Sequence, residues 1–318
     1  MAYAIGNMQP LIDIHVHGAG EYDTRTRRQD DILHMADIHG KRGTGALLPT
    51  IYPGSVDAMR ENMTTVQRAM SAQRGGARIL GVHLEGPFLN SERAGSLDRK
   101  SFLSPSEETF LRLVDGFEDL IKVITIAPEL PGALKVIELC AIKGFLVHMG
   151  HSDASFEQAE EGKSAGATGI THMFNAMRGF HHREPGLAGF GLMDEDIVVE
   201  VIADMVHLHP QSLKMLLDMK SPDKIILISD SVKGLGWGSG PIRGAGGTLM
   251  GSGIALADAV KNLALLGVSR ERATQFASDN TKKYLRIAES LAAKFGVSAS
   301  SVKNALSSDS CGCGHLTA

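Results

Sequence analysis

The sequence predicts an α/β fold, a (β/α)8 TIM-type barrel, and three observations support this prediction. Short segments rich in β-branched and other apolar residues alternate about eight times with segments of helical spacing. These apolar segments are nearly continuous, as expected of parallel strands that are buried on both faces. The chain has 318 residues, enough for one barrel of this kind. An open doubly wound sheet shows the same alternation and is the competing architecture.

The predicted strands are short runs of mostly apolar residues. In chain order they are Leu11–His17, Thr44–Thr50, Ile79–Glu85, Ile121–Ile126, Phe145–His151, Gly169–Met173, Ile197–Ala203 and Ile225–Asp230. The predicted helices between them are Ile32–Lys41, Val56–Arg74, a helix opening at Ser104-Pro105-Ser106-Glu107, Leu134–Lys143, Ser155–Ala165 and Pro210–Met219. We expect one barrel domain over residues 1–297 and a Ser-rich tail over residues 298–318, because the tail lacks the periodicity of a core element.

The composition predicts a cytoplasmic protein. The formal net charge of −4 gives no reason to expect nucleic acid or a membrane surface as a partner. No signal peptide is recognised, and no apolar run approaches the ~20 residues that span a bilayer. The three cysteines are too few and wrongly spaced for a disulfide framework. Cys311, Cys313 and His315 in the tail are a weak metal-binding candidate, with only two thiols and one imidazole.

Metal-ligating residue types collect at the carboxyl ends of the predicted strands. These residues are His15, His17, Glu85, His151, His172 and Asp230. In a barrel these strand ends share one rim, where the sites of this fold are built. His15 and His17 are two apart, so they point to the same side of their strand. One histidine alone is more often structural, but so many on one rim favour a site for a divalent ion such as zinc.

Four motifs carry a resemblance to a known family. They are His83-Leu84-Glu85-Gly86-Pro87, Gly150-His151-Ser152, Thr171-His172-Met173-Phe174-Asn175-Ala176-Met177 and Arg183-Glu184-Pro185-Gly186. With these motifs the sequence resembles the N-acetylglucosamine-6-phosphate deacetylases of the amidohydrolase superfamily. The resemblance covers about residues 11–285.

The resemblance implies a role for each matching position. Glu85, His151 and His172 correspond to the ligands of the main catalytic metal, and His15 and His17 to those of a second metal found in some members. Asp230 corresponds to the general acid/base. The implied contacts to the sugar phosphate are Asn175, Ala176, Arg183, His207, Leu249, Met250 and Gly251.

The implied activity is metal-dependent hydrolysis of the N-acetyl amide of an amino-sugar 6-phosphate, above all N-acetylglucosamine 6-phosphate. The cofactor would be one or two divalent ions, zinc first and iron second, and the protein would be a homodimer. Ordinary chemistry agrees, because a metal activates water and a carboxylate such as Asp230 can move its proton. The alternatives are another N-acyl sugar, such as N-acetylgalactosamine 6-phosphate, or a barrel that binds metal or sugar phosphate without turnover.

The sequence departs from the family pattern in two places. Only about ten residues precede the first predicted strand, so the small β-sandwich of the family is expected to be absent or reduced to a remnant. Leu97 stands where many members carry a histidine that polarises the substrate carbonyl. A second metal at His15 and His17 offers another way to bind that carbonyl oxygen.

Overall fold

The computed structural model describes residues 10–236 and 241–294, and eight parallel strands form its centre. The strands are β1 Leu11–Val16, β2 Thr44–Ile51, β3 Val82–Glu85, β4 Ile121–Ile126, β5 Leu146–Met149, β6 Ala167–Ile170, β7 Val198–Ile202 and β8 Ile225–Ile228. Each pairs with the next in chain order. Val16 and Ser231 form a parallel bridge that brings the last strand back to the first. The predicted (β/α)8 barrel is therefore confirmed, and the open sheet is excluded.

Helices surround the strands. They are α1 Gln29–Lys41, α2 Val56–Ala72, α3 Glu107–Val114, α4 Ala133–Ile142, α5 Phe156–Ala165, α6 Gly186–Met193, α7 Pro210–Met219, α8 Leu256–Leu265, α9 Arg270–Ala277 and α10 Asp279–Lys294. Side chains of Ser55, Ser106 and Ser155 cap α2, α3 and α5 by accepting from backbone N–H groups, which explains why these helices begin where they do. None of the helices among the described residues is long and apolar enough to cross a bilayer.

Buried apolar residues form two clusters, one on each face of the strands. Ile12 and Ile14, like Ile226 and Ile228, are two apart and so point to the same face, in the smaller cluster. Tyr284 of α10 packs into this cluster. The larger cluster packs the other face of the sheet against the helices. Because both faces are covered, the strands read as nearly continuous apolar runs.

Several strands are shorter at the rim than predicted. The sixth strand ends at Ile170 rather than Met173, because the backbone turns at His172, where φ is 30°. The fifth ends at Met149 rather than His151, where φ is 46°. The third is interrupted at Gly81, where φ is 147° and a Cβ atom would collide with the Leu120 carbonyl oxygen.

The predicted tail over residues 298–318, with Cys311, Cys313 and His315, lies outside the described residues. The domain boundary at residue 297 therefore stays a prediction. Within the described residues, one barrel accounts for the eight strands named above, and the short strand Arg78–Ile79 pairs with β2 as a ninth strand of the same sheet.

Candidate active site

The structure brings all six predicted metal-ligating side chains together at the carboxyl ends of the strands. His15 lies in β1 and Glu85 is the last residue of β3. The others follow the ends of β1, β5, β6 and β8 by one or two residues, and they are His17, His151, His172 and Asp230. All six are buried, none more than 9% exposed. Their roles in catalysis stay predictions.

Glu85, His151 and His172 form the first cluster of potential metal ligands. The Glu85 Oε1 atom lies 3.1 Å from His151 Nε2 and 3.2 Å from His172 Nε2. The two imidazole Nε2 atoms are themselves 3.1 Å apart. Three ligand atoms therefore converge on one point.

His15, His17 and Asp230 form a second such cluster beside the first. The two histidine Nε2 atoms are 3.3 Å apart, and Asp230 Oδ1 lies 3.6 and 3.7 Å from them. Glu85 reaches this cluster as well, since its Oε2 is 3.2 Å from His17 Nε2 and its Oε1 is 3.4 Å from His15 Nε2. Glu85 thus lies where a carboxylate could bridge two ions.

The donor set fits a divalent cation. Two pairs of imidazole nitrogens face each other at hydrogen-bond distance, an arrangement that needs a proton or a cation between their lone pairs. Glu85 Oε2 is buried and makes no hydrogen bond within the described residues. Burial alone would raise the pKa of Glu85, but His151 and His17 hold it well below its usual range, so the ligand is anionic. Nitrogen and oxygen ligands of this kind suit zinc and iron.

Neighbouring groups orient the imidazoles. His151 Nδ1 lies 2.9 Å from the Arg93 carbonyl oxygen, which can only accept, so Nδ1 carries the proton and Nε2 presents a lone pair. The His17 ring stacks on Tyr52, with ring centroids 3.9 Å apart and planes at 23°. These contacts hold two rings with Nε2 directed into the clusters.

The backbone is strained where the site is built. His151, His172, Ala176 and Asp230 have φ values of 46°, 30°, 47° and 47°, in the left-handed region that residues with a Cβ atom rarely adopt. Such strain persists only where surrounding structure holds it, and it is concentrated at functional sites. His151, His172 and Asp230 each lie two residues beyond the end of a barrel strand.

A cavity of about 240 Å³ opens over the two clusters. Of the residues predicted to contact substrate, the cavity is lined by Asn175, Ala176, His207, Leu249, Met250 and Gly251. Arg183 is not among its lining residues. Its exposed guanidinium contacts His182 Nε2 at 2.7 Å, so the structure does not bring this predicted phosphate contact to the cavity.

A larger cavity, of about 490 Å³, lies at the other end of the barrel. Its lining includes Leu80 and Lys122, at the amino ends of β3 and β4. None of the potential metal-binding clusters within the described residues lies there. The smaller cavity is therefore the candidate active site.

His207 lines the small cavity and is paired with a carboxylate. Its Nδ1 lies 2.6 Å from Asp204 Oδ2, and its backbone N–H donates to Asp204 Oδ1 at 2.8 Å. Burial lowers the pKa of His207, but Asp204 more than offsets this and raises it above the usual value. A cationic imidazole held in this way suits an anionic group of the substrate.

The loop after β3 lines the same cavity with Leu97. Asp153 holds this loop by an ion pair with Arg93 at 2.6 Å, and the same carboxylate pairs with Arg178 at 2.8 Å. Leu97 is half-buried and has no group that can hydrogen-bond a carbonyl.

Sequence reasoning missed Glu200, which lies in the middle of β7. Its carboxylate is fully buried, and Oε2 lies 3.1 Å from His15 Nδ1 and 3.3 Å from the backbone nitrogen of His172. The sequence did contain a sign of its role. A charged residue inside the apolar run Val198–Ile202 is rarely buried without polar partners, so Glu200 indicated a polar site beside this strand.

The fold and the site together define a class of protein, a (β/α)8 barrel whose rim carries potential ligands for divalent metal ions. The amidohydrolase family model matches residues 10–316, and the chain belongs to this family. Its relatives include the N-acetylglucosamine-6-phosphate deacetylase of Lysinibacillus sphaericus, which is 33% identical over 296 residues, or 87% of this chain and 76% of the relative. The N-acetylgalactosamine-6-phosphate deacetylase of Escherichia coli O157:H7 is 31% identical over 293 residues, covering 87% and 77% respectively.

Solved structures agree with the sequence comparison. A substituted N-acetylglucosamine-6-phosphate deacetylase from Mycobacterium smegmatis, in complex with N-acetylglucosamine 6-phosphate, superposes with a TM-score of 0.83 at 27% identity. The match covers 88% of this chain and 77% of that one. The resemblance found in the sequence motifs is therefore confirmed.

Proposed function

We propose that this protein hydrolyses the N-acetyl amide of N-acetylglucosamine 6-phosphate to glucosamine 6-phosphate and acetate. The observation that carries the proposal is the convergence of Glu85, His151 and His172 on one point, with Asp230 facing the same cavity. The relatives named above, which carry deacetylase names and cover most of this chain, support the substrate class.

In this proposal Glu85, His151 and His172 would hold the main ion, and His15, His17 and Asp230 would hold a second one. Zinc is the proposed metal, because imidazole and carboxylate ligands suit it. When bound, such an ion lowers the pKa of water toward neutrality and polarises a carbonyl oxygen. The expected homodimer stays a prediction.

Asp230 moves the proton in the proposed reaction. Its Oδ1 faces the His15 and His17 nitrogens, and the residue lines the cavity, so it can reach both the attacking water and the amide nitrogen. Asp230 takes the proton of the water as the water attacks the amide carbonyl. It then delivers that proton to the amine as the C–N bond breaks, which leaves acetate and the amino sugar.

His207 and the loop around Asn175 hold the substrate. The imidazolium of His207, fixed by Asp204, binds the phosphate by a charge-assisted hydrogen bond. Asn175 and Ala176 border the same cavity and place the sugar against the clusters. Leu97 excludes water beside the acyl group, and its apolar side chain does not itself polarise the carbonyl.

N-Acetylgalactosamine 6-phosphate is the second candidate substrate. It is favoured by the 31% identity to the Escherichia coli deacetylase of that name. The two sugars differ only in the orientation of one hydroxyl group. A contact to that hydroxyl would decide between them.

Acetate release from purified protein tests the proposal. Zinc-loaded protein is assayed with N-acetylglucosamine 6-phosphate, N-acetylgalactosamine 6-phosphate and unphosphorylated N-acetylglucosamine. We expect the phosphorylated sugars to be hydrolysed with much higher kcat/KM than the unphosphorylated one. Release from none of the three by protein that holds metal would refute the proposed function.

A further inference from the structure

Glu200 is a buried carboxylate directly beneath both metal clusters. It shares its face of β7 with the core residues Val198 and Ile202, and its exposure is 0%. The Oε2 atom contacts a ligand of each cluster: the ring of His15 at Nδ1 and the backbone nitrogen of His172. The Oε1 atom lies 3.3 Å from His148 Nδ1.

The geometry fixes the direction of these hydrogen bonds. The backbone N–H of His172 can only donate, so Glu200 Oε2 accepts from it. The same oxygen has a second lone pair for the Nδ1 proton of His15. With that proton on Nδ1, the Nε2 atom of His15 presents its lone pair toward His17 and Asp230.

We propose that Glu200 is a positioning residue that holds His15 in the tautomer that binds the second ion. This inference rests on the proposed function and deepens it, because it makes Glu200 a requirement for the two-ion form of the site. Glu200 touches neither the cavity nor the reacting atoms, so its action on the reaction passes through His15 and His172.

Charge balance supports a second ion above Glu200. A single divalent ion would offset the charges of Glu85 and Asp230, and the buried charge of Glu200 would then be stabilised only by its histidine and backbone contacts. Two ions bring four positive charges, and the three carboxylates offset three of them. A buried carboxylate at this position is therefore stabilised when the His15 and His17 cluster is filled.

A metal ion bound to Glu200 itself is the alternative, because His15, His83 and Glu200 also lie close together. His83 argues against it. Its Nδ1 lies 3.0 Å from the Ile14 carbonyl oxygen, which can only accept, so that nitrogen carries a proton and has no lone pair for a metal. The other nitrogen is 2.8 Å from Thr125 Oγ1. Glu200 is thus an orienting group rather than a ligand.

Calorimetric titration of metal-free protein with zinc tests the inference. Wild-type protein should bind two ions. Glu200→Met removes the acceptor and should weaken the second ion about 10- to 100-fold, the usual effect of losing such a partner, with the first ion retained. Glu200→Gln keeps one acceptor oxygen, and its affinity for the second ion should lie between those of wild type and Glu200→Met. Tyr284→Phe is the control, because it removes a buried hydroxyl that contacts His148 but no metal ligand, and it should bind zinc like wild type.

A second measurement needs no Glu200 variant. In zinc-loaded wild-type protein labelled with 15N-histidine, the His15 signals, assigned with His15→Gln, should show the proton on Nδ1. A proton on Nε2 would overturn the inference, as would a single zinc site in wild type, an unchanged second site in both Glu200 variants, or an equal loss in Tyr284→Phe. Two zinc ions with the expected variant effects but no acetate release would refute the proposed function and leave the role of Glu200 standing.

Discussion

Replacing Asp230 by asparagine is the sharpest test of the proposed proton transfer. Asp230 has φ of 47°, and asparagine is among the few side chains that accept this backbone conformation, whereas alanine would add strain. The backbone hydrogen bonds of Asp230, to the His15 carbonyl at 3.0 Å and from the Ser252 amide at 2.9 Å, do not depend on the side chain. Asp230→Asn should therefore fold like wild type.

The expected loss follows from what the amide cannot do. An asparagine amide neither takes a proton from water nor delivers one to the amine, and general acid/base catalysis is worth about 10²- to 10⁴-fold. The activation free energy should rise by about 3–5 kcal/mol. Asp230 does not belong to the cluster of Glu85, His151 and His172, so the first ion should stay bound.

Steady-state acetate release and metal content are measured on the same preparations. Asp196→Asn is the matched control, because Asp196 is an exposed surface carboxylate paired with Lys163, and its variant should keep wild-type kcat. Asp230→Asn with one or more bound ions and wild-type kcat would refute the role of Asp230 as proton shuttle. Loss of all metal would instead show that Asp230 is chiefly a ligand.

Three further predictions concern substrate, metal and pH. His207→Asn should raise KM for the phosphorylated sugar about 10-fold or more while leaving the unphosphorylated sugar unchanged, and equal effects on both would contradict phosphate binding. If the second ion replaces the missing imidazole at Leu97, His15→Ala should lower kcat about 100-fold, and adding Leu97→His should recover part of it; an active His15→Ala with one ion would contradict this. Burial lowers the pKa of His39 to about 4 from its ordinary 6.5. Below pH 6.5 the unfolded state therefore binds a proton that the folded state does not, and the free energy of unfolding decreases as the pH falls from about 6.5 to 4. The loss of unfolding free energy is about 3 kcal/mol for a fully buried group. In urea unfolding of metal-free protein, the unfolding free energy of His39→Gln should depend less on pH than that of wild type. An equal pH dependence in the two proteins would contradict this prediction.

The barrel could be predicted because its signal is local. Each strand is an apolar run, and the run Ile121–Ile126 was predicted with the bounds that the structure gives. The structure of the rim was harder to predict. In the sequence His172 looks like the continuation of an apolar strand, but its backbone turns, with φ of 30°. That turn is held by tertiary contacts, among them the Glu200 carboxylate, which no local pattern records.

The ligand types of the candidate site were readable from the sequence, but their supporting contacts were not. Glu85 and His151 could be placed at strand ends, whereas the Arg93 carbonyl that orients His151 lies 58 positions away along the chain. For Arg183 the motif match was not enough to predict its position. The match predicted a contact with substrate, whereas the structure leaves the Arg183 side chain exposed outside the cavity. A motif gives residue identity, while distance depends on how the loops pack.

The proposed function requires that metal binding and amide hydrolysis occur together in this chain. One measurement decides it: acetate released from N-acetylglucosamine 6-phosphate by metal-free protein as zinc is added back, with bound zinc counted in each sample. We expect no acetate without zinc, and a rate of acetate release that rises as zinc fills the clusters around Glu85. Protein that binds zinc fully and releases no acetate, or that releases it equally well without zinc, would contradict the proposed function.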